Sequence, residues 1–354
     1  MSLIVKIALQ ISKLLYRKSA YSFKEDLSKL MVSQLTIFSR LIEQSHSKEY
    51  GKDLGIVKGM TYEDFRSSIN IQEYNDLLPY IEKQKESGQS ILGGNLDRYQ
   101  PTSGSTSSRK WIPYTKEILL EFDMAISPWL THLFEISPRT LQGKHYWSLS
   151  WMPDELRTQM ENSDDLSYFS WLKRIFMKVC MAVPRELVDA KTTKSAQIGT
   201  VAYLARCRDL SMISIWSPTF MFSLLKELKE QQNLIVEILN TGTWSSIAKD
   251  MGSIKAPFCK ETAKILSDWD GELNSSITSL LWPQLALVSV WDTANSKDWT
   301  AKLMDLFPSS DVQGKGLFAT EAVVTIPYQD KYVLAYKSHF YEFEILETCL
   351  LYTS

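Results

Sequence analysis

One short run limits the fold more than any other. Leu285-Ala286-Leu287-Val288-Ser289-Val290-Trp291 is apolar at every position but Ser289, so it reads as a strand buried on both faces. A second stretch, Ser211 to Trp216, passes through Ser217-Pro218-Thr219 into a helix reaching Leu228. A strand handed directly to a helix is the habit of layered α/β proteins, and proline suits the first helical position. The 354 residues exceed one ordinary core, so two or three packed lobes are expected. Apolar residues at 44% and charged residues at 23% are globular values that argue against disorder. The fold class is therefore α/β, multi-lobed, with more than one β-sheet flanked by helices.

Periodicity places the other elements. Leu27, Leu30, Met31, Leu35, Phe38 and Leu41 recur at helical spacing within a helical stretch over 3–44, which Tyr50 to Gly55 breaks. Thr61 can cap a helix with Asp64 three residues on, and Asn75 or Asp76 caps another short one. Strands are expected at Trp111–Tyr114, Lys144–Ser150 and 322–326. Helices are expected at 115–135, Asp164–Met181, Lys194–Arg208, Ile254–Leu266 and 299–306. Lys331–Ala335 and Tyr341–Ile345 look like an antiparallel ribbon.

Several functions are disfavoured. With 39 basic against 41 acidic side chains the formal charge is −2, so no field draws nucleic acid. Cys180, Cys207, Cys259 and Cys349 lie far apart, and His46, His132, His145 and His339 show no HExxH spacing, which argues against structural zinc. Reduced thiols and the lack of a cleavable leader point to the cytoplasm. The apolar start is interrupted by Lys6 and is too short to span a membrane.

The chemistry is carried by Thr102-Ser103-Gly104-Ser105-Thr106-Ser107-Ser108-Arg109-Lys110. Seven hydroxyl or glycine positions followed by two cations form a cradle of N–H and O–H donors suited to phosphate oxygens. The glycine spacing is neither that of a dinucleotide fingerprint nor that of a P-loop. Composition alone fits a solvated surface loop better. Far downstream, Thr320 and Glu321 follow a glycine-flanked segment and stand where a strand begins. A carboxylate facing a polyphosphate needs Mg²⁺ between them, and the alternative is an ordinary surface acid. Asp292 and Asn295 follow the buried strand, where α/β proteins bind ligands and where turn formers also belong.

Together these segments resemble a family. Thr102 to Pro113 is similar to the first ATP/AMP-binding motif of the GH3 acyl acid–amido synthetases, which belong to the acyl-adenylate-forming superfamily. Gln313-Gly314-Lys315-Gly316-Leu317-Phe318-Ala319-Thr320-Glu321 resembles the second motif. Ser275 to Leu285, Ser289 to Asp292 and Ser338 to Phe343 are also typical of it, and the resemblance runs from about residue 48 to 348.

The resemblance implies an adenylate-forming N-terminal domain, taken over 1–348, in which periodicity reads 1–45 as a helical leader. It implies ATP and Mg²⁺ as cofactors, a carboxylic acid as substrate, an amino acid or other amine as acceptor, and a monomer. Ser103, Gly104, Ser105, Thr106 and Ser107 would hold the phosphates, with Lys110 as a nearby cation. Glu321 would bind the metal and Thr320 the α-phosphate. Trp291, Asp292 and Ala294 would border nucleotide and acyl group. Where plant members carry a tyrosine against adenine, this chain has Leu317, leaving Phe318 as the aromatic neighbour. Trp129, Phe134, Met212 and Phe220 are acyl-pocket candidates by position, each read more simply as core. A thiol acceptor, or a nucleotide-binding relative without catalysis, fits the same residues. The family's ribose-binding aspartate motif and mobile C-terminal domain would follow Phe343, and this chain carries neither. Cys349 to Ser354 resembles a translated sequencing adapter, so a native end near Glu347 or Thr348 is expected.

Overall fold

The computed structural model describes residues 29–102, 110–148, 179–345 and 350–353, together with 7, 9–11, 14, 17, 21, 23 and 24. These fall into two compact units. Among the described residues, those from 131 to 148 and from 179 to 316, with those before residue 15, form one; those from 17 to 130 and from 317 onward form the other.

The second unit begins with α1 (Leu30–Ser45), which extends the expected helical periodicity, and the short α2 (Glu49–Asp53). Tyr50 to Asp53 is therefore helical, and the break falls instead around residues 46–48, with Gly55 at positive φ closing the turn after α2. Phe38 and Ile42 of α1 pack with Ile56 and Tyr62 in a small aromatic core that Phe65 and Phe340 flank. Thr61 caps α3 (Tyr62–Ser68), accepting from the Asp64 amide at 3.1 Å. The next helix, α4 (Tyr74–Ser87), is longer than expected and begins two residues earlier. Asp76 lies inside it and accepts from the Glu73 amide at 2.8 Å, acting from the third helical position rather than as the cap.

The hydroxyl loop is the tip of an antiparallel ribbon of β1 (Leu96–Pro101) and β2 (Trp111–Thr115). Its first strand is not legible in the irregular glycine-bearing stretch that precedes the loop. α5 (Lys116–Ile136) follows at once, and the change of unit falls within it, after Leu130.

The first unit is built on a four-stranded parallel sheet in simple order: β3 (Lys144–Trp147), β4 (Leu210–Ser214), β5 (Leu287–Val290) and β6 (Asp311–Gly314). The crossovers carry α6 (Thr193–Arg206), α7 (Pro218–Glu230), α8 (Gln232–Thr241), α9 (Ala248–Met251), α10 (Lys260–Ser267), α11 (Ser275–Leu281) and α12 (Lys297–Leu306). The expected helix from Ile254 starts only at Lys260, because Pro257 pushes the residue before it out of helical geometry and Cys259 is extended. One face of the sheet joins the helical core through Tyr146, Ile213 and Val288, which are paired across the strands and all but fully buried. Close packing also explains Gly143, where a Cβ would lie 2.0 Å from the Asp209 carbonyl oxygen. Cys180, Cys207 and Cys259 are free thiols. The expected helix Asp164–Met181 lies almost wholly outside the described residues, as do Leu149 and Ser150 of the expected strand.

The chain ends in the second unit with β7 (Thr325–Tyr328) and β8 (Lys331–Leu334), a hairpin turned by Gln329 and Asp330, both at positive φ. β9 (Glu342–Ile345) pairs with β10 (Leu350–Thr353). The expected ribbon between 331–335 and 341–345 is therefore replaced by two local hairpins. A two-residue turn brings β8 directly back onto β7, leaving β9 to find its partner downstream.

Candidate functional site

Within the second unit a hydrogen bond links the ribbon of the first motif to the end of the second. At the base of the hydroxyl loop, the Thr102 amide donates to the Lys110 carbonyl at 2.9 Å, and the Lys110 amide returns to Thr102 Oγ1 at 3.2 Å. These bonds pin the loop's two ends together. Ser103, Gly104, Ser105, Thr106 and Ser107 lie outside the described residues. Lys110 is exposed with its Nζ 5.3 Å from the Tyr74 ring, and the Tyr74 hydroxyl accepts from the Trp111 amide at 2.8 Å. From β2 the Tyr114 hydroxyl donates to the Thr320 carbonyl at 2.6 Å.

Thr320 and Glu321 are the central residues of a tight turn. The Ala319 amide donates to the Ala322 carbonyl at 2.9 Å, and Phe318 bridges Val323 in antiparallel fashion. Glu321 thus projects from a turn rather than opening a strand; β7 begins only at Thr325. The reason is local, since the Leu317 carbonyl accepts from the Val324 amide at 2.8 Å and closes the hairpin first. Behind the turn the buried Tyr341 hydroxyl donates to the Val323 carbonyl at 2.6 Å, and burial pushes its pKa up to about 12, so it stays a donor. Glu321 is exposed, Leu317 is exposed, and Phe318 is buried with its ring 5.9 Å from that of Trp129.

The first unit carries the other predicted residues at the carboxyl ends of its strands, where open α/β sheets place ligands. The Trp291 amide donates to the Trp216 carbonyl at 2.9 Å and the two indoles lie 5.7 Å apart. Trp291 and Asp292 are half-buried, while Ala294 is exposed at positive φ. Phe134 and Met212 are fully buried and Phe220 packs against the helical core; Trp129, in the second unit, is also fully buried.

Lys315, a member of the second motif with no role assigned to it, is the residue that sequence reasoning missed. It leaves β6 between Gly314 and Gly316, is 3% exposed, and donates from Nζ to Ser214 Oγ at 2.6 Å. Its ammonium lies 5.7 Å from the Trp147 ring and 5.4 Å from the Trp216 ring. Burial lowers its pKa to about 7. The only sequence signal was a lysine enclosed by glycines; the strand before it, β6, was not expected.

No cluster of three or more His, Cys, Asp or Glu side chains suited to a metal occurs among the described residues. A lone exposed carboxylate fits Mg²⁺ only in the manner of nucleotide-bound magnesium, which takes one or two carboxylates and completes its shell with phosphates and water. No helix among the described residues is long and apolar enough to cross a membrane.

Among solved structures, the chain is similar to the AtGH3.15 acyl acid amido synthetase in complex with 2,4-DB, with a TM-score of 0.75 at 16% identity over 95% of this chain. It is also similar to a GH3.15 acyl acid amido synthetase, with a TM-score of 0.71 at 15% identity over 92% of this chain. At such identities the likeness is one of fold, and the chain spans 62% of the length of each neighbour. No significantly similar sequence is found among curated proteins. The profile of the GH3 family N-terminal domain matches residues 20–312, and with that match over most of its length this chain belongs to the GH3 family.

Proposed function

We propose that this chain is the nucleotide- and acid-binding part of an acyl acid amido synthetase. Residues 1–348 would form its adenylating domain. In the reaction proposed, a carboxylate oxygen attacks the α-phosphorus of ATP and pyrophosphate leaves, giving an acyl adenylate. An amine, such as that of an amino acid, then attacks the acyl carbon, AMP departs, and the ammonium proton passes to solvent. Neither step needs a protein nucleophile, which accords with a site offering donors and charge rather than a Ser-His or Cys-His pair.

The observation that carries the reading is the Tyr114–Thr320 hydrogen bond. It ties the ribbon that holds the hydroxyl loop to the turn that holds Glu321, although the two residues lie 206 positions apart. Around that bond Ser103, Gly104, Ser105, Thr106 and Ser107 would donate to the phosphates, with Lys110 adding charge at the loop's end. Thr320 would bond the α-phosphate and Glu321 would hold Mg²⁺ beside it. Bound there, Mg²⁺ would offset the negative charge of the triphosphate. Leu317 and Phe318 would offer adenine apolar packing. Trp291, Asp292 and Ala294 would flank the acyl end.

The test is binding of Mg·ATP by calorimetry together with acid-dependent ATP–pyrophosphate exchange. Wild type should bind Mg·ATP, and Glu321→Ala should weaken that binding at least tenfold and abolish exchange. Equal binding by wild type and Glu321→Ala would remove the metal role. Absence of any nucleotide binding by wild type would end the reading.

A further inference from the structure

Charge is unevenly spread along the chain. The first 24 residues hold Lys6, Lys13, Arg17, Lys18 and Lys24 and no Asp or Glu, although the whole sequence carries a net −2. The described residues of this stretch, 7, 9–11, 14, 17, 21, 23 and 24, are helical. In the first unit Leu9 is fully buried, whereas Ile7 is 51%, Ile11 41% and Leu14 65% exposed. At about 100° per residue, Ile7, Ile11 and Leu14 fall within roughly 60° of one another, and Leu9 lies nearly opposite. One side of the helix is therefore anchored in its unit while the other turns an apolar stripe to water. In the second unit Arg17, Tyr21 and Lys24 are exposed as well.

A stripe of large aliphatic side chains facing water needs a cover, and its charge selects which. A second copy of this chain would set five cations against five with no carboxylate to pair them. An anionic bilayer supplies both halves of the match: an acyl boundary for the aliphatic side chains and phosphate or carboxylate headgroups for the cations. A tyrosine such as Tyr21 suits the headgroup level, with an apolar ring and a polar tip. We propose that this N-terminal helical face docks the protein reversibly on an anionic lipid surface, with Ile7, Ile11 and Leu14 seated at the acyl boundary and the lysines and arginine on the headgroups. The helix lies on the surface rather than crossing it, since no helix among the described residues is long and apolar enough to span. Docking of this kind needs no nucleotide and is independent of the reaction proposed above.

The experiment is co-sedimentation of the whole chain with lipid vesicles, without nucleotide. One set of vesicles is phosphatidylcholine alone, and the other contains about a third phosphatidylserine. Wild type should bind the anionic set at least about tenfold more tightly, and salt at about 0.5 M should remove most of that preference. Ile11→Glu combined with Leu14→Glu should lose vesicle binding, and because both side chains are exposed its thermal melt should match that of wild type. Leu14→Asn, a milder change at the most exposed of the three, should weaken binding several-fold and decides the matter if the double variant does not fold. Lys6→Gln combined with Lys13→Gln should reduce the preference for the anionic set. The proposal is overturned if wild type binds neither set, if it binds both equally, or if the glutamate and asparagine variants bind like wild type. A dimer in solution that the glutamate pair dissociates, seen by analytical ultracentrifugation, would assign the face to a second copy and overturn it as well.

Discussion

Replacing Lys315 with methionine removes an amine from a site that disfavours its charge while keeping a chain of similar length and shape. The wild-type ammonium has its pKa lowered from 10.5 to about 7 by burial. Since the folded pKa is depressed, the unfolded chain holds the proton more tightly throughout the interval between these values. Wild-type stability is therefore highest above pH 10.5 and is lost as pH falls toward 7. The slope is about 1.4 kcal/mol per pH unit, so between pH 9 and pH 7 the wild type loses roughly 2–3 kcal/mol through this group. The methionine variant lacks that term. Urea unfolding of both proteins at pH 7 and pH 9, followed by far-UV circular dichroism and near-UV absorbance, gives the difference directly. The stability of Lys315→Met relative to wild type should improve by about 2–3 kcal/mol on going from pH 9 to pH 7, because the penalty it escapes is larger at the lower pH. A difference that does not change with pH would refute the reasoning, since it would mean the ammonium is fully compensated where it lies.

Three further substitutions probe other parts of the molecule. Tyr114→Phe removes the donor to Thr320 while keeping the ring; it should cost about 1 kcal/mol of stability and weaken Mg·ATP several-fold, read by thermal melts and calorimetry. Gly143→Ala drives a methyl against the Asp209 carbonyl at the start of β3, and the protein should lose roughly 3 kcal/mol or more, or fail to accumulate in soluble form, as expected for overpacking against backbone that cannot move. Glu121→Ala strips the carboxylate that Arg40 and His339 Nδ1 both engage, the latter at 2.9 Å, and should lower stability by about 1–3 kcal/mol in urea titration.

The sequence was most readable where one local rule acted alone. The run around Val288 read as a buried strand, and Thr61 with Asp64 three residues on read as a helix cap; both are found. Ser217-Pro218 announced α7 at the residue where it begins. Reading failed where the deciding partner was distant or the signal was weak. β1 exists because β2 pairs with it, and Leu96-Asp97-Arg98-Tyr99 has no alternation of its own to declare a strand. Asp76 looked like a cap, yet Glu73 already accepted that place. Glu321 was readable as a lone acid, but its place in a turn depends on bonds from Leu317 to Val324 that side-chain type does not encode. The hydroxyl loop and Lys315 show the two limits. The loop's composition alone suited a solvated surface loop better than a phosphate cradle, and only the family resemblance favoured the cradle. The burial of Lys315 depends on Ser214, about 100 residues away, on Trp147 at the end of β3 and on Trp216 just beyond β4.

The plain strand order of the parallel sheet also bears on how the chain finds its structure. Pairing β5 with β6 closes about 24 residues, from Leu287 to Asp311, with α12 as the crossover. Pairing β4 with β5 closes about 75, from Met212 to Leu287. Loop-closure entropy grows with the logarithm of length, so the shorter closure is favoured by about 1 kcal/mol. Local pairings also form faster than distant ones. The β5–α12–β6 segment is thus the natural seed of the sheet, with β4 and then β3 added on one side. Lys315 takes its place beside β5 while Ser214 is still to arrive, so its ammonium remains hydrated through the early steps. Its desolvation falls to the late docking of β4.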